Sequence, residues 1–310
     1  MSNFDNDNWT MQSYVMDIVF VRHAQSYNNC LGELINNECG SISEDDYKKE
    51  EILRRQQDAE LSETGYEQVD HLKQYLKNGG WNDLIPQEQN DSWIVYSSPM
   101  NRTLITASAV AEGLDKDVVV DHELYENGGC YEALADGTTV SRPGKSERDV
   151  LSEYPRYKCL PGMEQGWYSK FNKKESDSVF IERCHHVSAK LWKMFHENIQ
   201  LQQANRAAEH LSCGKMNKPI KGLVIVAHAN FIGGLLNCLM TQQKTGRNCM
   251  FVCNNTGVTH IQLHHELRRN QKTVAICRFN DTRHLKENRL VTGGDPTGDR
   301  HIHLFFGDHD

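Results

Sequence analysis

Three largely apolar runs, Val15–Val21, Trp93–Tyr96 and Leu223–Ala227, each stop at polar residues that can do chemistry: Arg22-His23, Ser97-Ser98-Pro99 and His228. Short runs of this kind predict strands buried on both faces. Between them, apolar residues recur at helical spacing. One set is Val69, Leu72 and Leu76 ahead of Gly79-Gly80; another is Leu104, Ala107, Val110 and Ala111 after Pro99; a third is Ile181, Cys184, Val187, Leu191 and Phe195. Strands that alternate with helices predict an α/β protein with a parallel sheet. Two further strand-like runs, Val258–Leu263 and Val274–Phe279, are expected to close that sheet.

Two stretches break the alternation, a polar one over about 32–58 and an irregular one over about 128–174. Long interruptions in a compact domain are functional covers or disordered segments, and these are expected to be cover insertions. The run Glu44–Glu51 places opposite charges about one turn apart and reads as a solvated helix face. Residues 1–13 read as a polar N-terminal tail and 291–310 as a C-terminal tail around a single domain spanning 14–290.

Composition narrows the function. With 34 Lys+Arg against 42 Asp+Glu, the net charge of −8 argues against nucleic-acid binding through diffuse basic charge. Any anion site must therefore be built from a few placed cations. No apolar stretch is long enough to span a membrane, and the acidic start has no secretory or mitochondrial signal, so a cytoplasmic location is expected. The ten cysteines are widely spaced, and Cys249 and Cys253 have no second pair to complete a zinc site. They read as reduced structural thiols.

In an open parallel sheet, ligands bind outside the carboxyl ends of the strands. Arg22, His23 and His228 would emerge there, Asn230 would open the following helix, and Ser97–Arg102 would deliver a second arginine. A lone Arg-His could equally cap a helix, but two arginines and two histidines at one edge suit a phosphate dianion. Guanidinium forks match phosphate oxygens. A neutral imidazole nitrogen can take up a phosphoryl group and yield it to water. A carboxylic acid is still needed to protonate the leaving alkoxide and to deprotonate the water.

The run Arg22-His23-Ala24-Gln25-Ser26-Tyr27-Asn28-Asn29 resembles the R-H-G-x-S-x-x-N motif of the histidine phosphatase superfamily, the phosphoglycerate mutase-like proteins. Supporting motifs follow in the family's order. They are Leu61–Gly65 with Gln68, Ser97–Arg102 with Thr106-Ala107, Leu124–Glu126 with Gly129 and Glu132, Glu175-Ser176 with Arg183, and His228–Asn230. The resemblance implies a three-layer α/β sandwich with a mostly parallel central sheet flanked by helices. It implies His23 as the phosphorylated nucleophile, with Arg22, Arg102 and His228 completing the phosphate pocket. It also implies Glu126 as proton donor and Ser26 and Asn29 as pocket-lining residues, with Asn230 added to the phosphate contacts. Glu132 is a weaker candidate, an auxiliary carboxylate or a structural helix acid. The sequence departs from the pattern at Ala24 and Ala229, where glycine is usual, and at Gln25, where glutamate is frequent. A positive φ at either alanine would cost about 1 kcal/mol.

The expected activity is cofactor-independent hydrolysis of a phosphomonoester, with a small phosphorylated metabolite as the substrate class. A phosphoprotein substrate, mutase-type phosphoryl transfer and a non-catalytic phosphate-binding scaffold are the alternatives. No metal is expected in the site, although His301, His303 and His309 with nearby aspartates could touch one adventitiously.

Overall fold

The computed structural model describes residues 13–209, 218–241 and 249–294. Its main sheet has seven strands in the order β6-β3-β2-β7-β1-β8-β9. These are β1 (Ser13–Arg22), β2 (Trp93–Ser97), β3 (Val118–Val120), β6 (Tyr157–Cys159), β7 (Gly222–Ala227), β8 (Val258–Glu266) and β9 (Gln271–Asp281). The first five in that spatial order run parallel, and β8 and β9 add an antiparallel hairpin beside β1. The parallel α/β sheet and its closing strands are therefore as the apolar pattern predicts.

The period of two along β1 divides the core into two layers. Val19 and Val21 pack with Leu72 and Leu76 of α3 (Glu63–Lys77) and with Leu104 and Val110 of α4 (Asn101–Leu114). Ile18 and Phe20 point the other way, into a cluster with Phe180, Val187, Leu191 and Phe195 of α6 (Asp177–Glu209) and Phe231 and Leu235 of α7 (Ala229–Thr241). Helices on both faces of one sheet make the three-layer sandwich. Each fully buried Val, Leu or Phe contributes roughly 1.5–3 kcal/mol, so these layers hold the sheet edge rigid.

The polar stretch 32–58 is more regular than its sequence suggests. It is the end of α1 (Tyr27–Cys39) followed by α2 (Glu44–Arg54), a helix with no buried residue. A helix without a buried face shows no apolar periodicity. The stretch 128–174 holds a hairpin of β4 (Tyr131–Ala133) and β5 (Thr139–Ser141), the short helix α5 (Glu147–Glu153), and β6. Because β6 pairs with β3 at the sheet edge, the end of this stretch belongs to the main sheet.

Residues 290–292, at the start of the expected C-terminal tail, hydrogen-bond to the body of the fold. The N–H of Asn255 donates to the carbonyl of Thr292 (2.9 Å), and Gln68 donates to Leu290 and Thr292. Residues 1–12 and 295–310 lie outside the described residues, and with them His301, His303 and His309. The nine described cysteines are free thiols, and among the described residues no helix is long and apolar enough to cross a membrane.

Candidate active site

The register of two parallel strands sets the two histidines side by side. Arg22 at the end of β1 pairs with Ala227 at the end of β7, so His23 and His228 follow at the same level of the sheet edge. Their rings are tilted by 58° with centroids 5.1 Å apart. The backbone of His23 is fixed from both sides. Its N–H donates to Ala227 (2.9 Å), and its carbonyl accepts from the Asn255 side chain (3.0 Å) and the Thr256 N–H (3.3 Å).

The hydrogen bonds of the His23 ring assign its tautomer. Nδ1 lies 2.7 Å from the carbonyl of Ala24, which can only accept, so Nδ1 carries the proton. Arg102 then donates its Nε–H to Nε2 (3.3 Å), which requires a lone pair on Nε2. Burial, reinforced by the charges of Arg102 and Arg22, holds the His23 pKa well below the usual 6.5. His23 is therefore a neutral imidazole with its nucleophilic nitrogen facing a guanidinium.

His228 is oriented by Ser98, whose Oγ is 2.8 Å from Nε2, while Nδ1 is buried and makes no hydrogen bond among the described residues. Burial, then the charges of Arg102 and its neighbours, depresses its pKa well below 6.5 too. In phosphate-free protein at pH 6.5, where an ordinary imidazole is half protonated, both rings are expected to be neutral, His23 as the Nδ1–H tautomer. Ring ¹⁵N chemical shifts read this directly. An imidazolium pattern for His23 at that pH would rule out the neutral Nδ1–H tautomer.

Arg102 arrives on the first turn of α4, is buried, and has Asp58 3.9 Å from its Nη1. Burial pushes the Asp58 carboxyl up to about 6, although Arg102 opposes the shift. Arg22 is anchored through Nη1 to the carbonyls of Cys253 (2.5 Å) and Gly293 (2.6 Å). It thus ties the chain around 253–257 and the segment 290–294 to the site.

Glu126 spans the start of α7. Its Oε2 accepts from the N–H of Asn230 (3.2 Å), and its Oε1 from those of Phe231 (3.0 Å) and Asn127 (2.8 Å). A carboxylate at a helix N-terminus is favoured by unpaired N–H groups and by the helix dipole. The loop that carries Glu126 is locked by Arg183. That side chain donates to both oxygens of Glu175 (2.9 and 2.7 Å) and to the carbonyls of Glu123 and Tyr125 (2.9 Å each). Tyr125 completes the lock by donating to Glu175 (2.9 Å).

The remaining expected residues divide. Ser26 donates through its N–H and its Oγ to Asn29 Oδ1 (3.1 Å each), and Asn255 adds a third donor to that oxygen (3.3 Å). These bonds brace the entry to α1 beside His23. Asn230 reaches Glu126 through its backbone. Glu132 lies on a strand rather than a helix and pairs with Arg142 (2.9 Å to Nε) at the surface. Ala24 and Ala229 are not among the residues with left-handed backbone, so neither departure from glycine is strained. The Ala24 methyl is buried with Leu61, Val69 and Ala109. Gly65 has a steric reason, since a Cβ there would lie 2.0 Å from the carbonyl of Gln25.

Asn255, Thr256, Asp58 and Gly293 were not singled out from the sequence. The turn-forming run Asn254-Asn255-Thr256-Gly257 was a signal for the first two, since Thr256 has φ +55° and presents its N–H to His23. Asp58 and Gly293 carry no local signal at all.

The family model of the histidine phosphatase superfamily (branch 1) matches residues 18–166. Phosphoglycerate mutase-like protein 1 of Arabidopsis thaliana is 28% identical over 227 residues, 73% of this chain and 72% of that protein. Among solved structures, a mycobacterial glucosyl-3-phosphoglycerate phosphatase aligns with 86% of this chain and 99% of its own at 18% identity and a TM-score of 0.45. A phosphoglycerate mutase from Bacillus anthracis aligns with 88% of this chain and 96% of its own at 15% identity and a TM-score of 0.41.

Proposed function

The chain belongs to the histidine phosphatase superfamily, and from that premise we propose that it hydrolyses a phosphomonoester through a phosphohistidine on Nε2 of His23. The observation that carries this reading is the ring itself: a buried neutral imidazole with its proton on Nδ1 and its free nitrogen turned to Arg102.

In the first half-reaction Nε2 of His23 attacks phosphorus, the P–O bond to the substrate breaks, and Glu126 in its acid form protonates the departing alkoxide. Charge on the transferring oxygens is met by Arg102, Arg22 and His228. In the second, Glu126, now a carboxylate, takes a proton from water as the oxygen attacks phosphorus. The P–N bond breaks, and phosphate leaves with His23 neutral again. Ser26, Asn29 and Asn230 support the phosphate contacts in this reading, and residues 14–294 act as one catalytic domain. A small phosphorylated metabolite is the substrate class. The free thiols fit a reducing compartment such as the cytosol.

The test is multiple-turnover release of inorganic phosphate from p-nitrophenyl phosphate and glycerol 3-phosphate with chelator present. Steady release supports the reading. Interconversion of phosphoglycerates without release would assign mutase chemistry, and no turnover of any phosphoester would leave a phosphate-binding scaffold.

A further inference from the structure

The two covers meet over one aromatic ring. Arg55, at the C-terminal end of α2, has its guanidinium carbon 5.4 Å from the centroid of Tyr131, and Lys174 has Nζ 4.7 Å from the same centroid. Both cations and the tyrosine are half-buried. Neither cation has a carboxylate within salt-bridge distance among the described residues. Some other basic side chains of the covers do: Arg54 pairs with Glu38 and Glu50, Arg142 with Glu132, and Lys145 with Glu153.

This pair sits beside the catalytic loop. A Cβ on Gly128, two residues after Glu126, would meet Tyr131 at 3.1 Å and Lys174 at 3.2 Å. The N–H of Glu175 donates to the carbonyl of Gly128 (3.1 Å), which holds Lys174 there. On the other side, Gln56 is held by both side-chain groups of Asn28 (2.7 and 3.0 Å), and Asp58 stands next to Arg102. Arg55 is therefore close enough for its charge to act on Arg102.

Two like charges gathered at one half-buried ring repel each other, and a ring face offsets only part of that. A bound anion would remove the conflict, and a chain of net charge −8 offers many carboxylates that it has not placed there. We infer that Arg55 and Lys174, set about Tyr131, bind a second anionic group of the substrate, a carboxylate or a second phosphate remote from the phosphoryl group that is transferred. This deepens the phosphatase reading and rests on it for the position of the first phosphate.

Matched ligands test it. 3-Phosphoglycerate and glycerol 3-phosphate differ by a carboxylate in place of a hydroxymethyl group, and fructose 1,6-bisphosphate and fructose 6-phosphate differ by a second phosphate. Wild-type protein is expected to bind at least one member that carries the additional anionic group more tightly than its partner in calorimetric titration; which pair discriminates identifies the anion. Arg55→Ala and Lys174→Ala should each weaken that ligand roughly tenfold and leave its partner unchanged. Arg148→Ala, which removes an exposed cover cation, should change neither. Equal wild-type affinity within both pairs, or equal losses for both members of a pair in the variants, overturns the inference. Because binding is read at equilibrium, these outcomes stand even if nothing is hydrolysed. Failure of the phosphatase reading shows separately, as absent turnover of p-nitrophenyl phosphate by the wild type.

Discussion

His23→Ala is expected to lose turnover by a factor on the order of 10³ or more and to abolish the covalent phosphoenzyme. Wild-type protein mixed with labelled substrate and quenched in alkali should carry label on His23, stable to base and lost in acid, as a phosphoramidate is. No neighbour can replace the nucleophile. His228 holds its Nε2 against Ser98, with its ring tilted away at 5.1 Å. The described thiols near the site, Cys130 and Cys253, are pushed up to about 12 and about 11 by burial and stay protonated. The substitution should leave the fold intact, because the His23 bonds to Ala227, Asn255 and Thr256 run through its backbone. Label on a cysteine, or near wild-type turnover in a folded variant, would refute the mechanism.

What the sequence revealed of this site follows from how each residue is held. Arg22, His23 and His228 could be read because they end apolar runs, and the register of β1 with β7 turns two distant sequence positions into neighbours. Glu126 came only from the family resemblance. Its contact with α7 joins residues about a hundred apart, and no periodicity encodes that. The same holds for Arg22, whose partners at Cys253 and Gly293 lie more than two hundred residues away. It explains why the segment after 290 read as a tail. α2 was legible in another way: a helix that buries nothing leaves only charge spacing, and the opposite charges of Glu44–Glu51 read as its solvated face. β6 is three residues long and lies in an irregular stretch, too short for any pattern to form.

Glu126→Gln is expected to slow the first half-reaction by roughly 10²–10⁴ for an alkyl phosphate and far less for an aryl phosphate, because only the alkoxide needs a proton as the P–O bond breaks. The substitution keeps the shape of the side chain. An amide oxygen in place of Oε1 still accepts from Phe231 and Asn127, while an NH₂ in place of Oε2 gives up the longer bond from Asn230 (3.2 Å). What is lost is the transferable proton. Steady-state rates would blur the contrast, since in the proposed mechanism the same residue serves as base when water attacks the phosphohistidine, a step expected to limit a good aryl substrate. The amplitude and rate of the first burst of alcohol or phenol isolate the acid step. The variant should also accumulate phosphoenzyme on the aryl substrate, because its formation outruns its hydrolysis. Equal burst rates on an alkyl phosphate for Glu126→Gln and wild type would show that the leaving group takes its proton elsewhere. With Glu132 committed to Arg142 at the surface, the buried carboxyl of Asp58, raised to about 6 and set against Arg102, would then be the group to substitute next.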